Sequence, residues 1–392
     1  MVKALKAKRV MDGYRSIPDG VVVIRDGKID GVGPASRTPI PSDAEVVDYG
    51  DKIIAPGLVD IHIHGCKGNG TNEAVENIYD CAAYVLKAGY TSWLPTLNST
   101  QGAAYAAEAI RTQKAEGYKG ARIAGVHLEG PFQSPKNIPG MPEVDAHLLP
   151  PTVEKFNEIY DASEGNMKIM GLGPDQPGAY DVIRRMRELG VVPACAHSKM
   201  GYDEMMQAYE NGLTHGTHLY NVMTGLHHRR PGITGALMSF DGFTTELICD
   251  GLHVHPAALE VAIRCKGIDR IAMISDHGIG GLPDGEYTRS NGRTVVVKDG
   301  ICRLKGSDPS QDNTMAGSCF LMDRGIYNVY KVLNRPLEDA IRMATITPAK
   351  IIHIDDYTGS LEVGKCADIM VMDDDIVVYE TIVEGKTLYT KA

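Results

Sequence analysis

The chain has 392 residues, which is enough for one large domain and a smaller one. Its content of 43% hydrophobic and 23% charged residues is ordinary for a soluble globular protein. The formal net charge of -10 disfavours a nucleic-acid-binding role, and the chain has no basic tract suited to a membrane surface.

Targeting and redox signals are also few. No apolar run reaches the roughly 18 residues of a transmembrane helix, and no apolar core follows the basic N-terminal residues, so we expect neither a membrane span nor a signal peptide. The eight cysteines are scattered and form no CxxC pair, which argues against a zinc ribbon or a disulfide framework. Free thiols in a cytoplasmic protein are the simplest interpretation.

The first 54 residues are predicted to form a β meander. An apolar run at 21–24 is followed by the turn signal Asp26-Gly27 and by a second strand pattern at 28–33. Prolines at positions 34, 39 and 41 then interrupt regular structure.

From Pro56 onward, apolar strand-like segments alternate with helical ones. Eight strands are predicted at 55–65, 91–94, 123–128, 168–172, 191–196, 216–219, 246–249 and 271–275, with helices at, for example, 77–87, 103–116, 180–189 and 256–266. Eight short buried strands separated by helices favour a (β/α)8 barrel of the TIM type. An open doubly wound sheet is the alternative, but no GxGxxG follows the first strand.

The C-terminal end returns to β character. Segments 367–372 and 376–383 are strand-like, and 384–386 reads as a turn. The economical arrangement is a small β-sandwich domain built from both termini, residues 1–54 and 355–392, beside a barrel of residues 55–354.

Residues suited to metal binding recur where the predicted barrel strands end. Residues i and i+2 of a strand share a face, so His62 and His64 should project together, opposite Ile61 and Ile63. The other strand ends carry Glu129, His197, His218, Asp250 and Asp276. Chemistry in such barrels sits at the carboxyl ends of the strands, and imidazole with carboxylate suits zinc or iron.

Several longer motifs resemble the amidohydrolase superfamily, and more closely the N-acetylhexosamine-6-phosphate deacetylases. The matching segments are PGLVDIHIHG at 56–65, HLEGPF at 127–132, AHS at 196–198, THLYN at 217–221, RRPG at 229–232, DGLH at 250–253, ISD at 274–276, MAGS at 315–318 and GSLEVGKCAD at 359–368. HLEGPF and THLYN are fairly specific for the deacetylases, whereas HxH and the last segment mark only the superfamily.

The resemblance implies a role for each matching residue. Glu129, His197 and His218 would hold the principal metal, and His62 and His64 would hold a second one together with Glu129 as a bridge and Asp276. Asp276 would be the catalytic acid and base. The sugar-phosphate clamp would comprise Asn221, the neighbouring backbone at Val222, Arg229 and His253, partly from a second subunit, which implies a homodimer. One or two divalent ions, zinc or iron, are expected.

Other histidines and one cysteine have plainer interpretations. His127 is expected to pack within its strand, His227 and His228 to be loop residues, and His215 to lie near the site or in solvent. Cys195 should face the same side as His197, where a buried structural thiol is the favoured interpretation.

The chain departs from the deacetylase pattern at two places. A histidine that helps polarise the acetamide carbonyl in relatives is missing, and Met141 stands near its position; His277 replaces a small residue after Asp276. Three outcomes are open: the metal alone polarises the carbonyl, His147 or His277 substitutes, or the substrate preference is shifted.

We therefore expect a metal-dependent enzyme that releases acetate from an N-acetylhexosamine 6-phosphate. The first alternative is an amidohydrolase acting on a different amide, such as an N-acyl amino acid or a cyclic amide. The second is a non-catalytic scaffold, against which the retained ligand set and Asp276 argue. The sequence leaves open the metal, the number of ions and the sugar epimer.

Overall fold

The structure is a computed structural model that describes residues 2–134, 148–289, 292, 294–306 and 315–392. Its N-terminal strands are β1 (Val2–Met11), β2 (Ser16–Arg25), β3 (Lys28–Pro34), β4 (Glu45–Asp48) and β5 (Ile53–Pro56). Asp26 and Gly27 join β2 to β3 with φ of 49° and 80°, the left-handed conformation that a tight hairpin requires. The predicted meander is therefore confirmed.

Strands and helices alternate through the middle of the chain. They are β6 (Leu58–Ile63), β7 (Gly65–Cys66), β8 (Asn69–Gly70), α1 (Val75–Tyr84), β9 (Tyr90–Leu97), α2 (Thr100–Glu116), β10 (Arg122–Ile123), β11 (Val126–Glu129), α3 (Val153–Ala162), β12 (Met167–Leu172), α4 (Ala179–Glu188), β13 (Val192–Cys195), α5 (Tyr202–Glu210), β14 (His215–Gly216), α6 (Gly232–Ser239), β15 (Thr244–Ile248), α7 (Pro256–Lys266) and β16 (Ile271–Ile274). A 3₁₀ turn, Val85–Ala88, extends α1.

Eight of these strands form the predicted (β/α)8 barrel. Parallel pairing runs from β6 to β9 and then through β11, β12, β13, β14 and β15 to β16. The last gap closes where β6 meets the end of β16: the Asp276 N–H donates to the His62 carbonyl (3.1 Å), and the His64 N–H to the His277 carbonyl (2.8 Å). This closure places the His62–His64 segment directly beside Asp276.

One extra residue in β6 changes which side chains face inward. Between Asp60, opposite Trp93, and Ile63, opposite Pro95, β6 advances three residues while β9 advances two. Val59 and Ile61 therefore lie in the apolar cluster inside the barrel, whereas Ile63 packs in the outer layer against the helices. The expectation that Ile61 and Ile63 share a face is wrong, because this bulge interrupts the alternation.

After β16 the chain adds a small antiparallel sheet, a helical segment and the C-terminal strands. These elements are β17 (Gly285–Thr288), β18 (Thr294–Lys298), β19 (Ile301–Leu304), α8 (Met322–Tyr327), α9 (Leu337–Ala344), α10 (Ile346–Ile351), β20 (Ile369–Met372), β21 (Val378–Val383) and β22 (Lys386–Thr390), with a π-helical turn at Asn328–Val332. The three-stranded sheet β17-β18-β19 was not predicted.

Both chain ends share one eight-stranded sheet. Its order is β22-β21-β20-β5-β1-β2-β3, with β4 paired to β1. Residues that lie far apart in this order, such as Val22 of β2 and Ile382 of β21, belong to one buried cluster, so the sheet folds over its own core in a sandwich-like manner. None of the described helices is both long enough and apolar enough to cross a membrane.

Candidate metal and active site

Five predicted ligand side chains and Asp276 meet at the carboxyl end of the barrel. Glu129, the last residue of β11, lies between two pairs of histidines. Its Oε2 is 3.2 Å from His64 Nε2 and 3.7 Å from His62 Nε2. Its Oε1 is 2.9 Å from His218 Nε2 and 3.2 Å from His197 Nε2. One carboxylate thus joins two groups of possible ligands.

Asp276 completes the first group. Its Oδ1 lies 3.4 Å from His64 Nε2 and 3.7 Å from His62 Nε2. His62, His64 and Asp276 therefore form one cluster of convergent donor atoms, and Glu129, His197 and His218 form another. His64 is the most open of these side chains at 39% exposed, whereas His62 is fully buried, so the first cluster faces the mouth of the barrel through His64.

The donor atoms of these clusters fit a cation. His62 Nδ1 lies 2.8 Å from Glu246 Oε2, which places the ring proton on Nδ1 and leaves a lone pair on Nε2. That Nε2 is 3.1 Å from His64 Nε2, and His197 Nε2 is 3.2 Å from His218 Nε2. Facing imidazole nitrogens with a carboxylate between them suit a divalent ion with nitrogen and oxygen ligands.

The same crowding sets the ionisation of the carboxylates. Burial alone would raise the pKa of Glu129, but His197, His218 and His62 lower it well below its ordinary value. Burial also opposes ionisation of Asp276, yet His64, His62 and His218 lower its pKa to about 2. Both groups are therefore carboxylates at neutral pH.

Strained backbone positions three of these side chains. His197, His218 and Asp276 have φ of 47°, 32° and 48°, although none is glycine. Each follows a barrel strand, β13, β14 or β16, by two residues. Such conformations are held by their surroundings and concentrate at functional sites. They turn the side chains back over the strand ends.

The expected clamp residues lie on two loops above the barrel. Asn221 Nδ2 points back at the carbonyls of His218 (3.3 Å) and Leu219 (3.4 Å), and Val222 has φ of 51°, which is unusual for a β-branched residue. Arg229 is exposed and makes no side-chain ion pair with any residue that the structure describes.

His253 is anchored within the other loop. Its Nδ1 lies 2.7 Å from Asp250 Oδ2, while Asp250 Oδ1 accepts the Leu252 and His253 amides. Burial disfavours the imidazolium, but Asp250 raises the pKa of His253 above its ordinary value. A cationic His253 is suited to an anionic ligand.

Comparison with known proteins agrees with this geometry. The sequence model of the amidohydrolase family matches residues 53–388. The chain belongs to the amidohydrolase family. It is 33% identical over 381 residues to N-acetylglucosamine-6-phosphate deacetylase of Bacillus subtilis, covering 95% of this chain and 93% of that one. It is 30% identical to N-acetylgalactosamine-6-phosphate deacetylase of Escherichia coli O157:H7, covering 98% and 99%.

Solved structures give the same result. An N-acetyl-D-glucosamine-6-phosphate deacetylase from Mycobacterium smegmatis, in complex with N-acetyl-D-glucosamine-6-phosphate, superposes with a TM-score of 0.88 at 27% identity, covering 99% of this chain and 100% of that one. The enzyme from Pasteurella multocida gives 0.88 at 26% identity and full coverage of both. The resemblance to deacetylases of the amidohydrolase family is therefore confirmed.

Two other histidines of this amidohydrolase, His127 and His215, lie away from solvent. His127 is fully buried and its Nδ1 donates to the Ile61 carbonyl (2.8 Å), as expected for a strand residue. His215 is also fully buried, with Nδ1 2.6 Å from Thr244 Oγ1, which rules out the solvent alternative.

Two further expectations concern side chains near the ligands. The expectation that Cys195 faces the same side as His197 is wrong. Cys195 packs in the outer layer, because the backbone turns after β13. His277 does not reach the site, since its Nδ1 donates to the Gly65 carbonyl (2.7 Å) and its ring lies against Gly280 and Tyr84. Met141 and His147 lie outside the described residues.

Sequence reasoning missed Glu246, which lies inside the barrel below the clusters. It is fully buried on β15 and contacts both His62 and His218. A lone carboxylate directly before the apolar run 247–249, within a predicted strand, was the available signal, because a buried charge requires partners.

Proposed function

We propose that this chain is a metal-dependent deacetylase of N-acetylhexosamine 6-phosphates. It hydrolyses the amide of N-acetylglucosamine 6-phosphate or N-acetylgalactosamine 6-phosphate to acetate and the amino sugar 6-phosphate. It is accordingly a carbon–nitrogen hydrolase of amino-sugar metabolism. The observation that carries the proposal is the placement of Glu129 between two histidine pairs, with Asp276 alongside, in a chain similar to such deacetylases over nearly its full length.

Metal ligation is assigned from this convergence. Glu129, His197 and His218 would hold the principal ion, and His62, His64 and Asp276 would hold a second ion with Glu129 as the bridge. Zinc or iron fits the ligand types. When bound, such a cation supplies a Lewis acid and lowers the pKa of a coordinated water toward neutrality.

Asp276 would carry the proton through the reaction. As a carboxylate it accepts a proton from the attacking water, and it returns that proton to the departing amine nitrogen. The carbon–nitrogen bond breaks as the carbon–oxygen bond of acetate forms, so one water is consumed and no redox partner is needed. Backbone hydrogen bonds on both sides, from the Asp276 N–H to His62 and from Ser318 to the Asp276 carbonyl (2.8 Å), hold the group in place.

The phosphate would be bound by the clamp loops. Arg229 and His253 supply cationic donors, and Asn221 with the amide of Val222 supplies neutral ones. A chain with net charge -10 needs such local cations to attract a sugar phosphate.

We also propose that the protein is a cytoplasmic homodimer. The loop that carries Arg229 exposes Leu226 to 59%, and a partner subunit could cover this apolar side chain while receiving the arginine. Light scattering on the purified protein at micromolar concentration should give a mass close to twice 42.4 kDa. A monomer would remove from the proposal the dimer and the transfer of Arg229 to a partner's site, and would leave the metal ligands and the role of Asp276 unaffected.

The proposed reaction is tested by acetate release from a substrate panel. The panel contains both N-acetylhexosamine 6-phosphates, unphosphorylated N-acetylglucosamine and an N-acyl amino acid, each assayed with and without a chelator. We expect metal-dependent release from at least one sugar phosphate. Turnover of only the unphosphorylated amides would favour a different amidohydrolase, and a metal-loaded protein that cleaves none of them would favour a scaffold.

A further inference from the structure

Glu246 is an ionisable side chain without a part in the reaction described above. It occupies an inward-facing position in the middle of β15 and has no exposed surface. Burying a carboxylate is costly unless hydrogen bonds compensate. The carboxylate of Glu246 must therefore be stabilised by specific hydrogen-bond donors, and it constrains those donors in turn.

Both of its hydrogen bonds use one oxygen atom. Oε2 accepts from His62 Nδ1 at 2.8 Å and from the His218 N–H at 3.1 Å. Oε1 makes no hydrogen bond within the described part of the chain; His215 Nε2 and His127 Nδ1 approach it only to 3.8 Å and 3.9 Å. A single oxygen thus connects a residue of one ligand cluster with a residue of the other.

Each contact has a consequence for the ligand atoms. Accepting from His62 Nδ1 fixes the tautomer, so that Nε2 presents its lone pair toward His64, Glu129 and Asp276. Accepting from the backbone of His218 holds a residue with φ of 32°, whose Nε2 lies 2.9 Å from Glu129 Oε1. Loss of the acceptor would release both of these constraints.

We propose that Glu246 is the positioning residue of the metal centre, and that it orients His62 and His218 through this one oxygen. The inference rests on the proposed metal-dependent function. What matters in this role is the location of the acceptor oxygen. This separates the proposal from a general effect of a buried negative charge.

Two substitutions distinguish position from charge. Glu246→Gln keeps an acceptor oxygen at the same reach but removes the charge, whereas Glu246→Asp keeps the charge and withdraws the oxygen by one methylene. Removing the partner that orients a ligand typically weakens metal binding 10–100-fold. We therefore expect Glu246→Asp to lose about that much zinc affinity and Glu246→Gln to stay within about tenfold of wild type.

The measurement is the dissociation constant for Zn²⁺ alone, obtained by competition with a chromophoric chelator on apo-protein that circular dichroism shows to be folded. Asp368→Asn is the matched control, because Asp368 is a buried carboxylate between the barrel and the eight-stranded sheet; it should lower the melting temperature and leave zinc affinity unchanged. Equal affinities for wild type and both variants, or tighter binding by Asp than by Gln, would overturn the proposal.

A wild-type measurement covers the case in which a variant does not fold. In apo-protein labelled with ¹⁵N-histidine, the ring whose resonances are lost in His62→Gln should carry a proton on Nδ1 whether it is neutral or doubly protonated; a neutral ring protonated on Nε2 alone would contradict the proposal directly. Neither assay uses a sugar substrate, so a failure of deacetylation leaves this test intact. A wild-type protein that binds no zinc would contradict both proposals.

Discussion

At the scale of single residues, the side chains of the candidate metal site have distinct roles. His197 follows β13 in a left-handed backbone conformation and points its Nε2 at Glu129. His197→Ala should therefore leave the fold intact and abolish both bound metal and turnover. Elemental analysis of the purified variant decides this. His228→Ala, on an exposed loop, is the matched control and should keep its metal; a His197→Ala protein with full occupancy would exclude that ligand.

Asp276 is assigned the proton transfer, and an asparagine at this position keeps the shape of the side chain. Asp276→Asn should retain substrate binding and lose at least about 100-fold in kcat, the usual scale for a missing general acid or base. Because a base works only when ionised, wild-type activity should fall at low pH, and this low-pH limb should be absent from the residual activity of the Asn variant. Steady-state rates across pH test both points. Near wild-type turnover by the Asn variant would remove Asp276 from the mechanism.

Arg229 and Arg230 are neighbouring exposed arginines, which makes them a matched pair. Arg229→Ala should lower kcat/KM for phosphorylated substrates by about tenfold or more, because a charge-assisted contact to phosphate is lost, and should barely affect unphosphorylated amides. Arg230→Ala should leave both unchanged. Equal losses on both substrate types would mean that Arg229 has a structural role.

At the scale of elements, strand order and strand ends were readable from the sequence, but local departures from regularity were not. Hydropathy alone locates β11, β13, β14 and β16, and the residues at or just after their ends are of metal-ligand types. The bulge in β6 left no comparable signal, since it depends on the pairing of Asp60 and Ile63 with β9. Glu246 was overlooked because its role comes from contacts with two distant strands. The hairpin signal Asp299-Gly300, between β18 and β19, was present and unused.

The seam between β6 and β16 yields an element-scale prediction. Asp60 is fully buried there and accepts from Tyr90 Oη (3.0 Å), the His62 N–H (3.1 Å) and the Ser275 N–H (3.3 Å). Asp60→Ala leaves these buried donors without an acceptor, which typically costs about 1–3 kcal/mol for each group left unpaired. We expect a loss of several kcal/mol in the free energy of unfolding by urea. Asp51→Ala, at an exposed carboxyl, is the control, and equal stabilities would show that the seam does not depend on Asp60.

At the scale of the whole molecule, we propose that residues 1–54 with 355–392 and residues 55–354 are the two domains, joined through Arg122. This buried guanidinium, 7% exposed, donates from the barrel to Asp368 (2.6 and 3.3 Å) and to Glu384 (2.9 Å). Both acidic residues flank the C-terminal strands, so one cation connects strands from distant parts of the chain.

Removing one partner of a buried ion pair leaves the other charge uncompensated, which typically costs about 3–5 kcal/mol. Arg122→Ala should therefore lower the free energy of unfolding by about that much, measured by urea titration. Lys119→Ala, which breaks an exposed pair with Glu116, should leave the free energy of unfolding nearly unchanged. Replacing Arg122 together with its buried partner, Arg122→Met with Asp368→Leu, should cost less than Arg122→Ala, because no buried carboxylate is then left unpaired; Glu384, at 40% exposed, still reaches water. If the double variant were the less stable one, the arginine would contribute through favourable pairing and packing, and the cost of Arg122→Ala would have to be attributed to those contacts.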